Sequence, residues 1–326
     1  MEVGKVARKN AADTVHEKRF SLGKTIARDF SHNKYKYLMI LPVLVYLALF
    51  CYKPMYGIQI AFKNFRITRG IARSPWVGFY WFEQFFKDPF FWRLLRNTFM
   101  ISGLSILFGF PAPIVLALML NEVRNNKFKR TVQTISYMPY FISLVVLCSL
   151  VKIYTQQNGL VSDIVAFFGG TPQNWLQDPK YYRLIYIVSD IWQGIGWNSI
   201  IYLAALSGID QEQYEAARID GANRFQQMLH ITLPGLLPTI TILFILRMGS
   251  ILNVGYEKTL LLYQPTTYEV ADIFSTYTYR ISLGATSGQP QYSLSTAVSL
   301  FNTLVNIVFL LLTNFISSKT TESSLF

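Results

Sequence analysis

The chain is poor in almost everything that marks a soluble enzyme. Only 15% of its 326 residues are charged, against about 25% in an ordinary soluble domain, which excludes a water-facing globule. It has two cysteines, Cys51 and Cys148, both inside apolar runs. They read as small buried hydrophobes, not as a disulfide or a thiolate metal pair. Three histidines, none spaced with another ligand type, give no metal site. No nucleophile–base pair falls at a membrane face, so no catalytic residue is expected and the chain is not read as an enzyme. A motor is missing too. Gly23-Lys24-Thr25 imitates the end of a phosphate-binding loop, but that motif needs glycine at position 18, where Lys18 stands, and no strand precedes it. There is no internal repeat and no low-complexity region.

What the chain does have is apolar length. It is 52% hydrophobic and 16% aromatic, with long runs at 37–60, 94–120, 134–154, 184–206, 236–263 and 293–316. A helix needs roughly 20 apolar residues to cross the hydrocarbon core, and backbone polar groups cannot stay unpaired in lipid. Each run is therefore expected to be a helix. Pro42, Pro54, Pro111, Pro113 and Pro139 are expected to kink or terminate them. The fold class is all-α integral membrane: a polar tail at 1–36, a six-span domain at 37–318 and a short tail at 319–326.

The net charge of +12 could point to nucleic acid, but its distribution points to a membrane. Basic residues crowd the segment from Lys5 to Lys36 and recur at Arg124, Lys127, Lys129 and Arg130. Short basic segments beside spans face the cytoplasm, where anionic lipid attracts them. The polar, basic tail is not a cleavable signal. Six spans then put both termini inside, with 121–133 and 207–235 in the cytoplasm. One loop strains this rule. Lys63, Arg66, Arg69, Arg73, Lys87 and Arg93 lie in the first external segment, either as an amphipathic interfacial stretch or as a basic docking surface for an external partner.

The most telling stretch is Glu215-Ala216-Ala217-Arg218-Ile219-Asp220-Gly221, followed by Ile231-Thr232-Leu233-Pro234. Asp210 with Gln213 reads as a helix N-cap and its supporting residue, and Gly221 can take the left-handed turn that ends a helix. A second short helix should follow, with Phe225, Met228, Leu229 and Thr232 on one face, stopped by Pro234. The whole resembles the EAA loop of binding-protein-dependent ABC importers, every defining position being met. The resemblance covers about residues 35–318. It implies a type I ABC importer permease fold, a coupling loop at about 208–235, and contact with a separate ATPase through Glu215, Ala216, Ala217, Asp220, Gly221, Phe225, Met228, Leu229, Ile231, Leu233 and Pro234. Glu215 is expected to anchor the hairpin by hydrogen bonds. The implied partners are a second, homologous permease, an ATPase dimer that holds the ATP and Mg, an extracellular solute-binding protein and the lipid bilayer. No cofactor on this chain and no nucleic acid are expected, and the location is the bacterial cytoplasmic membrane.

A second resemblance narrows the cargo. The aromatic string from Phe79 to Trp92, with Asp88-Pro89-Phe90-Phe91-Trp92 and then Asn97-Thr98, is similar to the segment leading into the core helices of carbohydrate-importer permeases of the MalF/UgpA-like family. The segments Gly255–Tyr263, 268–272 and 277–280 resemble the LplB/YteP-type branch of oligosaccharide permeases. Polar stripes in the late spans supply candidate pathway residues. The fourth run offers Asp190, Trp192, Gln193, Trp197 and Asn198, with Gly194 and Gly196 allowing close packing. The fifth offers Arg247, Ser250, Asn253, Tyr256 and Glu257 beside Lys258, and the last Ser295, Ser299, Asn302 and Asn306. These positions serve either an oligosaccharide pathway or interhelical hydrogen bonding. The cargo is expected to be a neutral plant- or microbial-polysaccharide fragment or, with Arg247 meeting its charge, an acidic one; Arg247 otherwise pairs with Asp190 or Glu257. An ion-coupled secondary transporter using Asp190, Arg247 and Glu257 is the alternative reading.

Overall fold

The computed structural model describes residues 32–283 and 290–320. All of the described regular structure is helical apart from one isolated bridge, Lys63 to Trp76. The chain divides into two compact units, residues 1–58 and 59–326. The described part of the first is most of helix α1, Lys34–Phe62, which is apolar along its length. Cys51 lies there, exposed and free, and not buried as its apolar setting suggested; a span's outer face is covered by lipid, not by protein. Cys148 is buried as expected.

After the end of α1 and a loop holding one helical turn, Gly70–Arg73, the second unit has a short amphipathic helix α2, Tyr80–Lys87, and continues through α3, Phe91–Glu122, and α4, Asn126–Phe141. Then come α5, Leu144–Tyr154, and α6, Pro179–Leu206, of 28 residues. Helix α7, Gln211–Ile219, leads into α8, Arg224–Met248. Helices α9, Tyr256–Leu262, and α10, Phe274–Ser282, precede α11, Tyr292–Thr320. Helices α1, α3, α8 and α11 are long and apolar enough to span a membrane; α4 and α5, bent by 100°, count as a fifth if taken together. Helix α6 covers the fourth expected span and is long enough, at about 42 Å. Asp190, Gln193 and Asn198 make it too polar to be counted by hydropathy alone.

Two expectations about proline and helix length need correction. Three π-helical stretches, Leu47–Tyr52, Ser105–Gly109 and Met228–Thr232, each end two residues before a proline: Pro54, Pro111 and Pro234. A proline ring clashes with the preceding turn and lacks an N–H. Widening that turn lets the freed carbonyls find partners, so the helix runs on through the proline. Pro234 therefore does not stop the second helix of the EAA segment, and Pro42 and Pro113 lie within helices. Only around Pro139 does the chain turn, through a 3-10 turn into the bend before α5. The fifth expected span is also shorter than its apolar run. Helix α8 ends at Met248, and the chain breaks over 249–255 before α9 begins. Arg247, Ser250, Asn253 and Glu257 therefore do not form one helical face.

Packing fixes these elements around the break. One buried cluster joins Ile101, Leu147, Cys148, Tyr182, Tyr186 and Val254; a second joins Phe85, Leu94, Leu252, Phe274 and Val298. Asn306 of α11 accepts from the Leu252 N–H at 2.9 Å and donates to Asn253 Oδ1 at 3.2 Å. The broken backbone is thus satisfied by a side chain, which buried polar backbone requires. Gly196 lets α6 touch α4: a Cβ there would sit 2.1 Å from the Ser136 carbonyl oxygen.

Candidate translocation pathway and coupling hairpin

Two cavities meet inside the second unit. The first, about 430 Å³, is lined by Ser102, Tyr186, Asn253, Tyr256, Glu257 and Lys258, among others. The second, about 540 Å³, is lined by Gly109, Phe110, Gly194, Trp197, Asn198 and Ser250, among others. Ser105, Asp190 and Arg247 line both, and so form the waist between them. The break at 249–255 borders this space: Asn253, Val254 and Gly255 line the first cavity and Ser250 the second.

The charges at the waist are unequally answered. Lys258 Nζ donates to Asp190 Oδ1 at 3.2 Å and to the Tyr186 carbonyl at 3.0 Å, with its side chain only 4% exposed. Arg247 Nη2 donates to Ser105 Oγ at 2.7 Å and makes no ion pair among the described residues. The expected pairing of Arg247 with Asp190 or Glu257 is not formed, since Lys258 occupies Asp190. Trp197 stacks on Tyr140, centroids 4.6 Å apart and planes 5° from parallel, which leaves a rigid aromatic wall on the second cavity.

The expected pathway residues separate into two groups. Trp197, Asn198, Arg247, Ser250, Asn253, Tyr256 and Glu257 come together on the cavities. Trp192 instead lines an apolar pocket with Leu147 and Val188, and Gln193 donates to the Ile142 carbonyl at 3.4 Å. Ser299, Asn302 and Asn306 line neither cavity; Ser299 is exposed and Asn306 holds the break. In this stripe Asn306 hydrogen-bonds across to the break, while Asn302 is buried and Ser299 is exposed. Ser102, Ser105 and Tyr186 were missed. The small polar spacing Ser102, Ser105, Gly109 in an apolar run was the available signal.

The EAA segment folds as a hairpin. Asp210 caps α7 by accepting from the Glu212 N–H at 3.0 Å, and Gly221 sits at φ 79°, the left-handed geometry its position required. Asn223 and Gln226 form a reciprocal capping box that starts α8. The anchors are not Glu215, which is exposed with no hydrogen bond to a described residue. They are Tyr214 Oη with Thr232 Oγ1 at 3.0 Å and Gln227 Nε2 donating to the Ala222 carbonyl at 2.8 Å. Phe225 and Ile219 are left 64% and 87% exposed. A cleft of about 920 Å³ opens beside them, lined by Glu122, Arg124, Gln211, Arg218 and Arg224, among others.

The residues behind the carbohydrate-permease resemblance form a clasp. Buried Asp272 accepts from Arg280 at 2.7 and 3.1 Å and from Arg93 at 3.3 Å. Asn97 donates to the Glu269 and Asp272 carbonyls at 2.9 and 3.0 Å and accepts from Arg183 at 2.8 Å. Thr98 accepts from the Phe274 N–H, and Asp88 from the Tyr277 hydroxyl. Burial works against the Arg280 charge, but its hydrogen bonds to the Asp272 carboxylate and that carboxylate's negative charge together outweigh burial and hold its pKa above the ordinary arginine value. Burial and the Asp88 carboxylate push the Tyr277 phenol well up. These side chains tie α3 and α6 to the segment that follows the break; they line neither cavity.

Comparison with known proteins agrees with this architecture. A family described as "Binding-protein-dependent transport system inner membrane component" matches residues 109–322. Protein LplB of Bacillus subtilis (strain 168) is 43% identical over 321 residues, 96% of this chain and 100% of that protein. The polygalacturonan/rhamnogalacturonan transport system permease protein YteP of the same organism is 44% identical over 294 residues, 90% of each. A solved bacterial ABC transporter involved in the import of the acidic polysaccharide alginate has a chain that superposes with a TM-score of 0.83 at 42% identity. That match covers 91% of this chain and 99% of the other. A bacterial alginate ABC transporter in complex with alginate pentasaccharide-bound periplasmic protein matches with the same TM-score at 41% identity.

Proposed function

The chain belongs to the family of binding-protein-dependent transport system inner membrane components, and from that premise we propose that it is the six-span permease subunit of an ATP-driven importer of acidic oligosaccharides. Both termini face the cytoplasm of a bacterial cell. A second, homologous permease completes the pathway, a pair of ATPases holds the ATP and Mg, and an external solute-binding protein delivers the cargo. The EAA hairpin carries the ATPase stroke to α6 and α8, between which it lies in the chain. Its exposed Phe225 and Ile219 suit insertion into a groove on the ATPase.

The acidic cargo rests on one observation: Arg247 at the waist has no carboxylate partner. Four charged side chains line the two cavities, Asp190, Arg247, Glu257 and Lys258. Asp190 and Lys258 answer each other, and of the remaining two only Arg247 reaches both cavities. A cation within a span is costly unless it is functional or paired, and a uronate carboxylate would pair with half-buried Arg247 through charge-assisted hydrogen bonds. The relatives named for polygalacturonan, rhamnogalacturonan and alginate support the same class. The ion-coupled alternative loses its central residue, since Asp190 is held by Lys258.

The test is to purify the assembled transporter and measure ATP hydrolysis with binding protein and a panel of oligosaccharides. Stimulation by uronate oligomers, and little by neutral oligomers of equal length, is the expected result. Equal stimulation by both would leave the importer reading standing and remove the acidic cargo.

A further inference from the structure

The basic loop after α1 is built to a degree its sequence does not disclose. Its two ends pair through Asn64 N–H to the Pro75 carbonyl at 2.9 Å and Val77 N–H to the Phe62 carbonyl at 2.8 Å. Inside it, Lys63 Nζ donates to the Ile71 carbonyl at 2.9 Å, and Ser74 Oγ donates to the Gly70 carbonyl at 2.7 Å while accepting from the Arg66 N–H. Ser293, the second residue of α11, accepts from the Phe65 N–H and donates to the Lys63 carbonyl, at 2.9 and 2.7 Å. The loop thus follows directly on the last residue of one spanning helix and is clasped to the first turn of another. Both tethers join it to the ends of helices long and apolar enough to span a membrane, which puts it where such helices leave the hydrocarbon.

What this scaffold presents is uniform. Arg66, Arg69 and Arg73 are exposed and make no ion pair among the described residues, while Lys63 is used internally. Around them stand Ile67, Trp76 and Phe79, exposed at 68%, 62% and 72%. Trp76 stacks on Phe62 with centroids 5.6 Å apart, so its ring is held in place. Arginines interleaved with exposed aromatic and aliphatic side chains at headgroup depth match an interface between water and lipid. We propose that the 63–79 loop is a binding site for anionic phospholipid headgroups, its arginines pairing with lipid phosphates while Ile67, Trp76 and Phe79 enter the acyl boundary.

This reading offsets the loop's departure from the positive-inside rule. That rule counts Lys and Arg in short loops beside spans, as here; pairing the arginines with lipid phosphates would neutralise their charge once the loop is folded. It rests on the proposed importer only for which leaflet is involved, since six spans and a cytoplasmic N-terminus put the loop outside. A binding protein docking on the same arginines is the competing partner. The depth argument disfavours it, because such a protein would meet side chains projecting beyond the headgroups.

The experiment uses the assembled transporter in nanodiscs of phosphatidylcholine alone or with phosphatidylglycerol, without cargo. Retained lipid is read by native mass spectrometry, and apparent lipid affinity by titration. Each arginine near an anionic surface is worth about fivefold, so Arg66→Gln, Arg69→Gln and Arg73→Gln together should weaken phosphatidylglycerol retention about a hundredfold. Retention of phosphatidylcholine and the midpoint of thermal unfolding in neutral discs should not move. A triple variant that keeps phosphatidylglycerol as wild type does overturns the proposal. If its affinity for the binding protein falls at the same time, the surface belongs to that protein. Because cargo is absent, failure here leaves the sugar assay untouched, and failure there leaves the lipid result standing.

Discussion

The two cations of the pathway, buried Lys258 and half-buried Arg247, are held by different means, and that difference can be measured. Lys258 has a side chain 4% exposed and is answered by Asp190, so Asp190→Asn would leave a buried ammonium with no carboxylate partner. We expect a loss of about 3 kcal/mol, the low end for a broken buried pair, because Asp190 is 45% exposed and its charge is partly screened. Adding Lys258→Met to Asp190→Asn should recover most of that loss, and a double-mutant cycle on thermal unfolding of the purified transporter checks it. Arg247→Gln should behave otherwise. It keeps a donor for Ser105, so stability should hold. Uptake of a uronate oligomer should drop about tenfold to a hundredfold, the worth of a hydrogen bond to a charged group, with a smaller loss on a neutral oligomer of equal length. Equal losses on both cargos would make Arg247 a gate or a strut. Arg247 was legible in the sequence because a lone arginine in an apolar run asks for a reason. Its partner was not, because Ser105 lies 142 positions away and one hydroxyl among many carries no signal.

At the scale of elements, composition located the helices well and their interruptions poorly. The 236–263 run is apolar throughout, yet the chain breaks inside it. The residues that satisfy the break, Asn306 above all, sit on another helix. The prolines misled in the opposite sense, since a π turn ahead of Pro54, Pro111 and Pro234 absorbs each ring. The EAA hairpin was the most legible element, because capping residues and a glycine at fixed spacing act locally. It gives a sharp prediction. Gly221 has φ 79°, and Gly221→Val would put a β-branched residue where it is a strained outlier. The cost, of order 1–2 kcal/mol, falls on the turn alone. Transport and cargo-stimulated ATP hydrolysis should fall several-fold while the amount of protein in the membrane stays unchanged. A variant that couples as wild type does would detach the hairpin from the ATPase. The clasp at Asp272 is the structural counterpart. Asp272→Ala strands Arg93 and Arg280, and should lower stability by about 3 kcal/mol or more, visible as reduced assembly before any change in cargo preference.

For the whole molecule the governing quantity is orientation in the bilayer. The hairpin can meet a cytoplasmic ATPase only if the 207–235 segment faces inward, and the 63–79 loop can touch outer-leaflet lipid only if it faces outward. Helix α6 decides between these and their opposites. It is 28 residues long but too polar to be counted among the apolar spans. If it crosses the membrane, the segments before and after it lie on opposite sides. If it does not, the hairpin and the 171–178 loop share one side. Cysteines settle this once Cys51→Ser and Cys148→Ala have removed the native thiols. New ones at Asn126, Gln211, Ala72 and Thr171 fall on exposed residues away from the cavities. A membrane-impermeant maleimide added to intact cells should label Ala72→Cys and Thr171→Cys. Asn126→Cys and Gln211→Cys should react only in inverted vesicles. Labelling of Gln211→Cys from outside would exclude coupling to a cytoplasmic ATPase whatever the family. Labelling of Thr171→Cys and Gln211→Cys from the same side would show that the waist formed by Ser105, Asp190 and Arg247 does not lie across the bilayer.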